Sequence, residues 1–233
     1  MKKVSVVLPA YLEAENLRTI LPILKSTLSG IDYEIIIVDT MMPMDDTREV
    51  CEKYDVVYIP RTGGNSYGDA IRTGFCTAQG YYIVVMDADG SHDPKYILDF
   101  YNEAENGNYD LVIGSRYCKG GNTDNPFLLQ CMSGLLNMVF RLLFGIKVKD
   151  VSDSFRLYRA DQIKNLVLEC DNFDIVEEIL IKLCMNYTSF HIKEYPIVFK
   201  KRCAGESKRE LITFIKSYLN TIWKLLKVKK AYK

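Results

Sequence analysis

Short apolar segments alternate with segments of helical periodicity through the first half of the chain, and this alternation constrains the fold more than any other feature. Parallel strands need helical crossovers, so the pattern predicts βαβ units and a mainly parallel sheet. The expected strands are Val4–Leu8, Glu34–Val38, Val56–Ile59, Tyr82–Met86 and Leu111–Ile113, and the expected helices are Glu13–Leu28, Thr47–Tyr54, Tyr67–Ala78 and Pro94–Asn106. The predicted fold class is α/β, with ligand-binding residues in the loops after the carboxyl ends of the strands.

The second half of the chain is less regular. Its expected elements are the amphipathic helix Phe127–Phe144, the strand Phe155–Tyr158, the helix Ile175–Met185, the alternating strand His191–Phe199 and the apolar-striped helix Glu210–Leu226. No segment rich in Pro, Gly or Ser separates two domains. We therefore predict a single domain over residues 1–208, followed by a basic amphipathic helix over residues 209–233.

Charge is distributed unevenly along a chain whose formal net charge is zero. From Lys200 to the end there are eleven Lys or Arg residues and two acids, a local balance of +9. Such a tail predicts contact with an anionic surface, and a solvated helix face is the alternative. The apolar segment from Phe127 to Ile146 is interrupted by polar residues, so we expect no membrane-spanning helix. Seven cysteines without a Cys-x-x-Cys pair argue against structural zinc and against a disulfide framework.

The segment VVMDADGSHDP places two carboxylates directly after an apolar strand. Asp87 and Asp89 are spaced i, i+2, so both can converge on one hard cation beyond the end of the strand. Mg²⁺ and Mn²⁺ take a few carboxylate oxygens and complete their coordination with water and phosphate. A turn in which an aspartate caps the next helix is the alternative, but Asp93 already suits that cap. The segment therefore predicts a divalent-metal site.

Polar residues also follow the other predicted strands. Tyr11 can stack on a base, Glu13 can hydrogen-bond to it, and Asp39 can bind a base or a ribose. The loop RTGGNSYGDAIRTG opens a helix and can cradle phosphate, although glycines serve any tight turn. The basic residues that can neutralise phosphates are Arg116, Arg202 and Lys208. Together these loops predict a nucleoside-diphosphate site.

The order of PAYLEAEN, VDT, RTGGNSYGDA, DADGSHDP, GSRY, SFRLYR and PIVFKKRCAGESK resembles that of family 2 glycosyltransferases, and within them the dolichyl- or polyprenyl-phosphate mannose synthase group. The resemblance implies a GT-A (Rossmann-like) fold, inverting transfer from a GDP- or UDP-sugar, and Mg²⁺ or Mn²⁺ as cofactor. By position it implies nucleotide-sugar contacts at Pro9, Tyr11, Glu13, Asp39, Asp87, Ala88, Asp89, Arg116, Arg202 and Lys208. It implies metal ligands at Asp87, Asp89 and Ser91.

Two departures from the family pattern bear on the acceptor. The family segment TSGFR reads SDSFR at residues 152–156, and the basic residue expected just before Ser133 is absent. A phosphate acceptor is already an anion and needs no base, whereas a hydroxyl acceptor needs one. Asp153 is the first candidate for such a catalytic base and Asp150 is the second. Pairing of the Asp153 carboxylate with Arg156 is the structural alternative.

We expect an inverting glycosyltransferase that acts on a lipid-linked acceptor such as polyprenyl phosphate. A family 2 transferase that uses a sugar hydroxyl in surface polysaccharide or glycolipid assembly is the alternative. A nucleotidyltransferase or a non-catalytic nucleotide-sugar binder is the third hypothesis. The expected location is cytoplasmic and peripheral, at the inner face of a membrane, through the C-terminal helix. Packing of that helix on the domain or against a second copy of the chain is the alternative, and no nucleic-acid partner is expected.

Overall fold

The computed structural model of the protein describes residues 3–201 and 211–231, with side chains described over 3–201 and 216–230. The strands of its main sheet are β1 (Val4–Pro9), β2 (Tyr33–Asp39), β3 (Val57–Pro60), β4 (Tyr82–Val85), β5 (Leu111–Ser115), β7 (Arg156–Arg159) and β8 (Ile192–Pro196). In these described ranges the sheet has the order β3-β2-β1-β4-β7-β5-β8. Two short strands, β6 (Asn122–Thr123) and β9 (Val198–Phe199), pair in a separate parallel ladder.

The sheet is parallel except at β7, which runs antiparallel to both β4 and β5. The mainly parallel α/β prediction is confirmed, and the five strands expected in the first half lie within two residues of their predicted bounds. The single strand expected over His191–Phe199 was wrong. It divides after Pro196, because its partner β5 ends at the paired Ser115, and β9 then pairs with β6.

Helices cover both faces of the sheet, because successive residues of a strand point to opposite faces. On the face of Val6 and Leu8 lie α1 (Ala14–Leu28), α2 (Thr47–Lys53) and α4 (Tyr96–Gly107). On the face of Val7 lie α3 (Tyr67–Thr77), α5 (Phe127–Phe144), α6 (Ala160–Ile163), α7 (Ile175–Asn186) and α8 (Leu211–Ala231). Strand β1 is buried almost throughout, as expected for a parallel strand with helices on both sides.

Helix α4 begins at Tyr96, two residues after the expected start at Pro94. The Asp93 carboxylate accepts the backbone N–H of Lys95 at 3.2 Å, which is the bond expected of a residue that caps the turn opening at Pro94. It also pairs with Lys200 at 3.0 Å. Asp93 therefore fixes the turn that leads from β4 into α4.

Helix α5 is mostly exposed, since only Asn137 and Phe140 are buried along it. Within the described residues it is one helix that is long and apolar enough to cross a membrane by length and composition, with a mean hydropathy of 1.6. The expectation of no membrane-spanning helix stays a prediction, because length and composition alone do not show that a helix crosses a membrane. The polar residues that interrupt the segment, such as Gln130 and Ser133, are mostly uncharged and lower its hydropathy only modestly.

The apolar stripe predicted along α8 is partly buried against the domain and partly exposed. Tyr218, Thr221 and Leu225 are buried against the domain, whereas Leu219 and Trp223 are exposed. The Tyr218 ring meets Phe140 of α5 edge-on, with ring centroids 6.3 Å apart. Part of the stripe is therefore core, and the remainder is available at the surface.

Candidate functional site

A cavity of about 260 Å³ opens at the carboxyl ends of β1 and β4. These strands are neighbours and parallel, so the loops that follow them meet at one edge of the sheet. The cavity is lined by Pro9, Ala10, Tyr11, Glu13, Arg61, Tyr67, Asp87, Ala88, Asp89 and Phe173. The structure thus brings together six residues that the sequence singled out, namely Pro9, Tyr11, Glu13, Asp87, Ala88 and Asp89.

The backbone and the side chain of Asp87 are both held in place. Its Oδ1 accepts a hydrogen bond from Ser154 Oγ at 3.1 Å and a longer one from the Tyr67 hydroxyl at 3.5 Å. Its backbone N–H donates to Nδ1 of His92 at 3.0 Å. Asp87 is half-buried, with its carboxylate at the wall of the cavity.

Asp89 is buried at the same wall, and Ser91 orients it. Its Oδ1 accepts both the backbone N–H of Ser91 at 2.9 Å and the Ser91 hydroxyl at 2.5 Å. Ser91 itself is fully buried and does not line the cavity. In this geometry the Ser91 hydroxyl is directed at Asp89, and its expected role as a metal ligand stays a prediction.

The chemistry of this wall fits a hard divalent cation. Two carboxylates, on Asp87 and Asp89, face one space and are held by neighbouring donors. Over residues 3–201 and 216–230, no group of three or more His, Cys, Asp or Glu side chains forms that could hold a metal by itself. A Mg²⁺ or Mn²⁺ ion between Asp87 and Asp89 would complete its coordination with phosphate oxygens and water.

Asp39 lies behind the cavity wall and is not among its lining residues. It is buried at the end of β2, where its Oδ2 accepts the Tyr58 hydroxyl at 3.2 Å. Burial raises the pKa of its carboxyl. Its backbone carbonyl accepts the N–H of Arg61 at 2.9 Å, so it helps to place that lining residue.

Arg61, Tyr67 and Phe173 line the cavity, and the sequence analysis did not single them out. The buried Arg61 guanidinium donates to the carbonyl oxygens of Ala10 and Asn65, each at 2.5 Å. The rings of Tyr67 and Phe173 stack with centroids 4.4 Å apart. Arg61 follows β3 and Tyr67 begins α3, both within the loop expected to cradle phosphate, whereas no spacing in the sequence links Phe173 to them.

The glycine-containing loop before α3 is explained largely by packing. Ser66 and Asp69 form a capping box that satisfies backbone N–H groups at the start of the helix. A Cβ at Gly68 would lie 2.2 Å from the carbonyl oxygen of Cys170, so the close approach of this backbone requires glycine. The loop therefore positions Tyr67 at the cavity.

Arg116 is committed to a buried ion-pair cluster. Its Nε and Nη2 donate to the two oxygens of Asp150, both at 2.8 Å. Its Nε also lies 3.2 Å from Oδ2 of Asp153. Arg116 is buried and does not line the cavity, and its expected contact with phosphate stays a prediction.

Asp150 and Asp153 are fully buried, and their surroundings do not suit the expected base role. Burial alone raises the pKa of Asp153, but the charge of Arg116 and the hydrogen bond from His92 outweigh it and hold that pKa below its usual range. The alternative, a pair between the Asp153 carboxylate and Arg156, was also wrong. Arg156 Nε donates to the backbone carbonyl of Asp153 at 2.8 Å, and its other nitrogens donate to two further carbonyls. The predicted phosphate contacts Arg202 and Lys208 lie outside the described residues.

Glu177 is a buried carboxyl that the sequence analysis did not predict. Burial raises its pKa to about 8, and its Oε1 accepts the Tyr218 hydroxyl at 3.3 Å. Because the folded-state pKa exceeds the ordinary value of 4.5, the folded protein binds this proton more tightly than the unfolded chain does. The stabilisation is therefore complete below about pH 4.5 and is lost as the pH rises through about 8.

We expect this carboxyl to lower the free energy of unfolding by a few kcal/mol between about pH 5 and about pH 8.5. Urea unfolding of the wild type and of Glu177→Gln across this range measures it, because the substitution removes the contribution from the slope. Glu52→Gln, at an exposed carboxyl, is the control and should keep the wild-type slope. Equal slopes in all three proteins would contradict the assignment.

Comparisons with known proteins identify glycosyltransferases as relatives of this chain. A family model described as glycosyl transferase family 2 matches residues 5–167. The dolichol-phosphate mannosyltransferase of Pyrococcus furiosus is 37% identical over 232 residues, which cover 97% of this chain and 64% of that protein. The polyprenol monophosphomannose synthase of Mycolicibacterium smegmatis is 30% identical over 213 residues, which cover 87% of this chain and 79% of that protein.

A solved structure shares the fold. Glucosyl-3-phosphoglycerate synthase from Mycobacterium tuberculosis, crystallised with Mn²⁺, UDP and glucosyl-3-phosphoglycerate, superposes with a TM-score of 0.73. The match covers 97% of this chain and 79% of that chain at 16% sequence identity. The same protein crystallised with Mg²⁺ and UDP superposes with a TM-score of 0.71.

Proposed function

Because this chain belongs to glycosyl transferase family 2, we propose that it is an inverting enzyme that transfers a sugar from a nucleoside-diphosphate sugar to a lipid-linked phosphate. The observation that carries the proposal is the cavity in which Asp87 and Asp89 face the loop that follows β1. The two relatives are named for transfer to dolichol phosphate and for polyprenol monophosphomannose synthesis, which supports a polyprenyl phosphate acceptor. This chain spans only 64% of the Pyrococcus protein, so the proposal concerns the transfer step.

The donor occupies the cavity in this proposal. Tyr11 and Glu13 hold the nucleoside beside β1, and Asp87 and Asp89 hold the diphosphate side through Mg²⁺ or Mn²⁺. When bound there, such an ion would supply positive charge against the departing phosphates. The positive charge of Arg61 in the wall acts in the same direction.

The acceptor is an anion in this proposal. A phosphate oxygen attacks the anomeric carbon in line as the bond to the nucleoside diphosphate breaks, and no proton must be removed. Asp150 and Asp153 are both buried and paired with Arg116. The pKa of Asp153 lies below its usual range, and a carboxylate of low pKa is a poor base. This arrangement favours a phosphate over a hydroxyl acceptor.

Product analysis tests the proposed function. We expect label from GDP-mannose or a UDP-sugar to enter a lipid-linked sugar phosphate when polyprenyl phosphate and Mg²⁺ or Mn²⁺ are present. The unphosphorylated polyprenol is the matched control, and it should accept less than about a hundredth of the label, since each missing charge-assisted contact costs a few kcal/mol. Transfer to polyprenol or to a sugar hydroxyl at an equal rate would contradict a phosphate acceptor.

The location that we propose is the inner, cytoplasmic surface of a membrane. Five exposed side chains recur at intervals of three or four residues along α5, namely Leu128, Cys131, Leu135, Met138 and Leu142. We call these residues the α5 stripe. On α8, Lys216, Lys227 and Lys230 are exposed on the same helix as Leu219 and Trp223. Apolar side chains beside lysines match the acyl and headgroup layers of an anionic leaflet.

Charge on the α5 stripe is expected to prevent membrane binding. The double substitution Leu135→Glu and Leu142→Glu should abolish co-flotation with anionic vesicles at low salt, because two carboxylates replace apolar area at the bilayer boundary. The control is Val167→Glu, which changes an apolar side chain that is 77% exposed but lies outside the stripe. Equal flotation of the two variants would contradict this assignment and favour a contact between copies of the chain.

A further inference from the structure

We propose that His92 is a positioning residue that couples Asp87 to the buried pair of Asp153 and Arg116. The proposal rests on the proposed function in one respect, the role of Asp87 as a metal ligand. His92 lies one residue beyond Ser91 in the loop that follows β4, and it is fully enclosed. It does not line the cavity, so it acts on the substrate only through its neighbours.

The ring of His92 is fixed on both of its surfaces and along one edge. It stacks on Phe155 with centroids 4.7 Å apart, and Phe199 meets it edge-on at 5.3 Å. Its Nδ1 accepts the backbone N–H of Asp87 at 3.0 Å. A neutral imidazole that accepts at Nδ1 carries its proton on Nε2. The tautomer is therefore set by the backbone of the proposed metal ligand.

The protonated Nε2 faces Asp153. It lies 3.4 Å from Oδ1 of that carboxylate, and Oδ2 lies 3.2 Å from Nε of Arg116. Oδ1 also accepts the N–H of Phe155 at 2.8 Å, which holds the carboxylate toward the ring. His92 thus occupies the space between the end of β4 and the segment that enters β7.

A second contact joins the same two segments. Ser154 Oγ donates to Oδ1 of Asp87 at 3.1 Å, one residue beyond Asp153. Residues 153–154 therefore reach Asp87 twice, through its carboxylate directly and through its backbone by way of the His92 ring. This double connection fixes both the position and the rotation of the carboxylate, which a metal ligand requires.

Two conservative substitutions distinguish the roles of the two ring nitrogens of His92. Asparagine places an acceptor oxygen near the position of Nδ1, whereas glutamine places its amide near the position of Nε2. We expect His92→Asn to keep the affinity for Mn²⁺ within about threefold of wild type. We expect His92→Gln to weaken it by about 10–100-fold, the loss typical of removing an outer-shell partner of a metal site.

Calorimetric titration of Mn²⁺ into each protein with GDP or UDP present measures these affinities, and thermal melting without metal reports on the fold. Equal Mn²⁺ affinity in wild type and both variants would overturn the proposal, and so would equal weakening in both variants. If the wild type itself neither binds Mn²⁺ with nucleotide nor transfers sugar, the proposed function fails as a whole. If the wild type binds Mn²⁺ and transfers sugar, any loss of Mn²⁺ affinity in the variants tests the role of His92 and not the proposed function.

A measurement on the unaltered chain is independent of how the variants fold. The sequence has two histidines, His92 and His191, so a protein labelled with ¹⁵N at histidine gives two sets of ring signals. His191→Gln identifies which set belongs to His92. We expect His92 to carry its proton on Nε2 with Nδ1 in a hydrogen bond. A proton on Nδ1 would overturn the proposal.

Discussion

Asp89→Ala is expected to lower the rate of sugar transfer by about 10²–10³-fold or more while leaving the fold intact. The carboxylate faces the cavity, where it would share the cation with Asp87 and the departing diphosphate. Its removal leaves one protein carboxylate for the metal, so charge on the leaving group is neutralised less well. The buried Ser91 groups that donate to Asp89 lose their acceptor, so we also expect the free energy of unfolding to fall by about 1–3 kcal/mol.

The matched control for Asp89→Ala is Asp93→Ala, in the same loop. Asp93 pairs with Lys95 and Lys200 and does not line the cavity. Initial rates over a range of Mn²⁺ concentration, with circular dichroism of both variants, make the comparison. Full activity of Asp89→Ala in metal-free buffer would contradict the proposed metal site. An equal loss in Asp93→Ala would mean that the loop as a whole, and not the carboxylate, determines the rate.

Asp150→Ala is expected to lower the free energy of unfolding by about 3–5 kcal/mol. The Asp150 carboxylate forms a bidentate ion pair with the Arg116 guanidinium, and each of the two bonds is 2.8 Å long. It also accepts a hydrogen bond from the backbone N–H of Arg116. Without it the guanidinium stays buried with Asp153 as its remaining carboxylate partner. Urea unfolding at neutral pH measures the change.

The matched control for Asp150→Ala is Asp161→Ala, which removes an aspartate from an exposed pair with Arg159. Exposed pairs contribute little, so this substitution should cost less than about 1 kcal/mol. Loss of turnover in Asp150→Ala at unchanged stability would contradict the structural role and restore Asp150 as a catalytic base. The comparison therefore separates the two roles directly.

The sheet and the loops of β1 and β4 were predictable from the sequence because they depend on local patterns. Apolar runs identify buried strands, and parallel strands place the residues that follow them at one edge. Tyr11, Glu13, Asp87 and Asp89 meet in the cavity for this reason. The periodicity of a strand does not identify its neighbour in the sheet, so the insertion of β7 between β4 and β5 was not predictable.

The buried partners of the site residues could not be predicted for the same reason. Arg116 and Asp150 are 34 positions apart, and nothing in their spacing shows that they pair. From sequence alone, a basic residue at the end of a strand is equally consistent with a phosphate contact and with a buried ion pair to a carboxylate. Burial decides between these, and burial of a single side chain depends on elements far away in the sequence.

The reversed direction of β7 has a consequence for how the enzyme could diversify. Because β7 is antiparallel to β4, the residues before it, and not those after it, arrive at the cavity edge. Eleven residues join the end of α5 at Phe144 to the start of β7 at Arg156, and Ser154 within them bonds to Asp87. Residues 145–155 thus connect the surface helix α5 to a side chain that contacts Asp87. Exchanging residues 127–144 between homologues should therefore alter membrane binding through the α5 stripe and leave nucleotide preference unchanged.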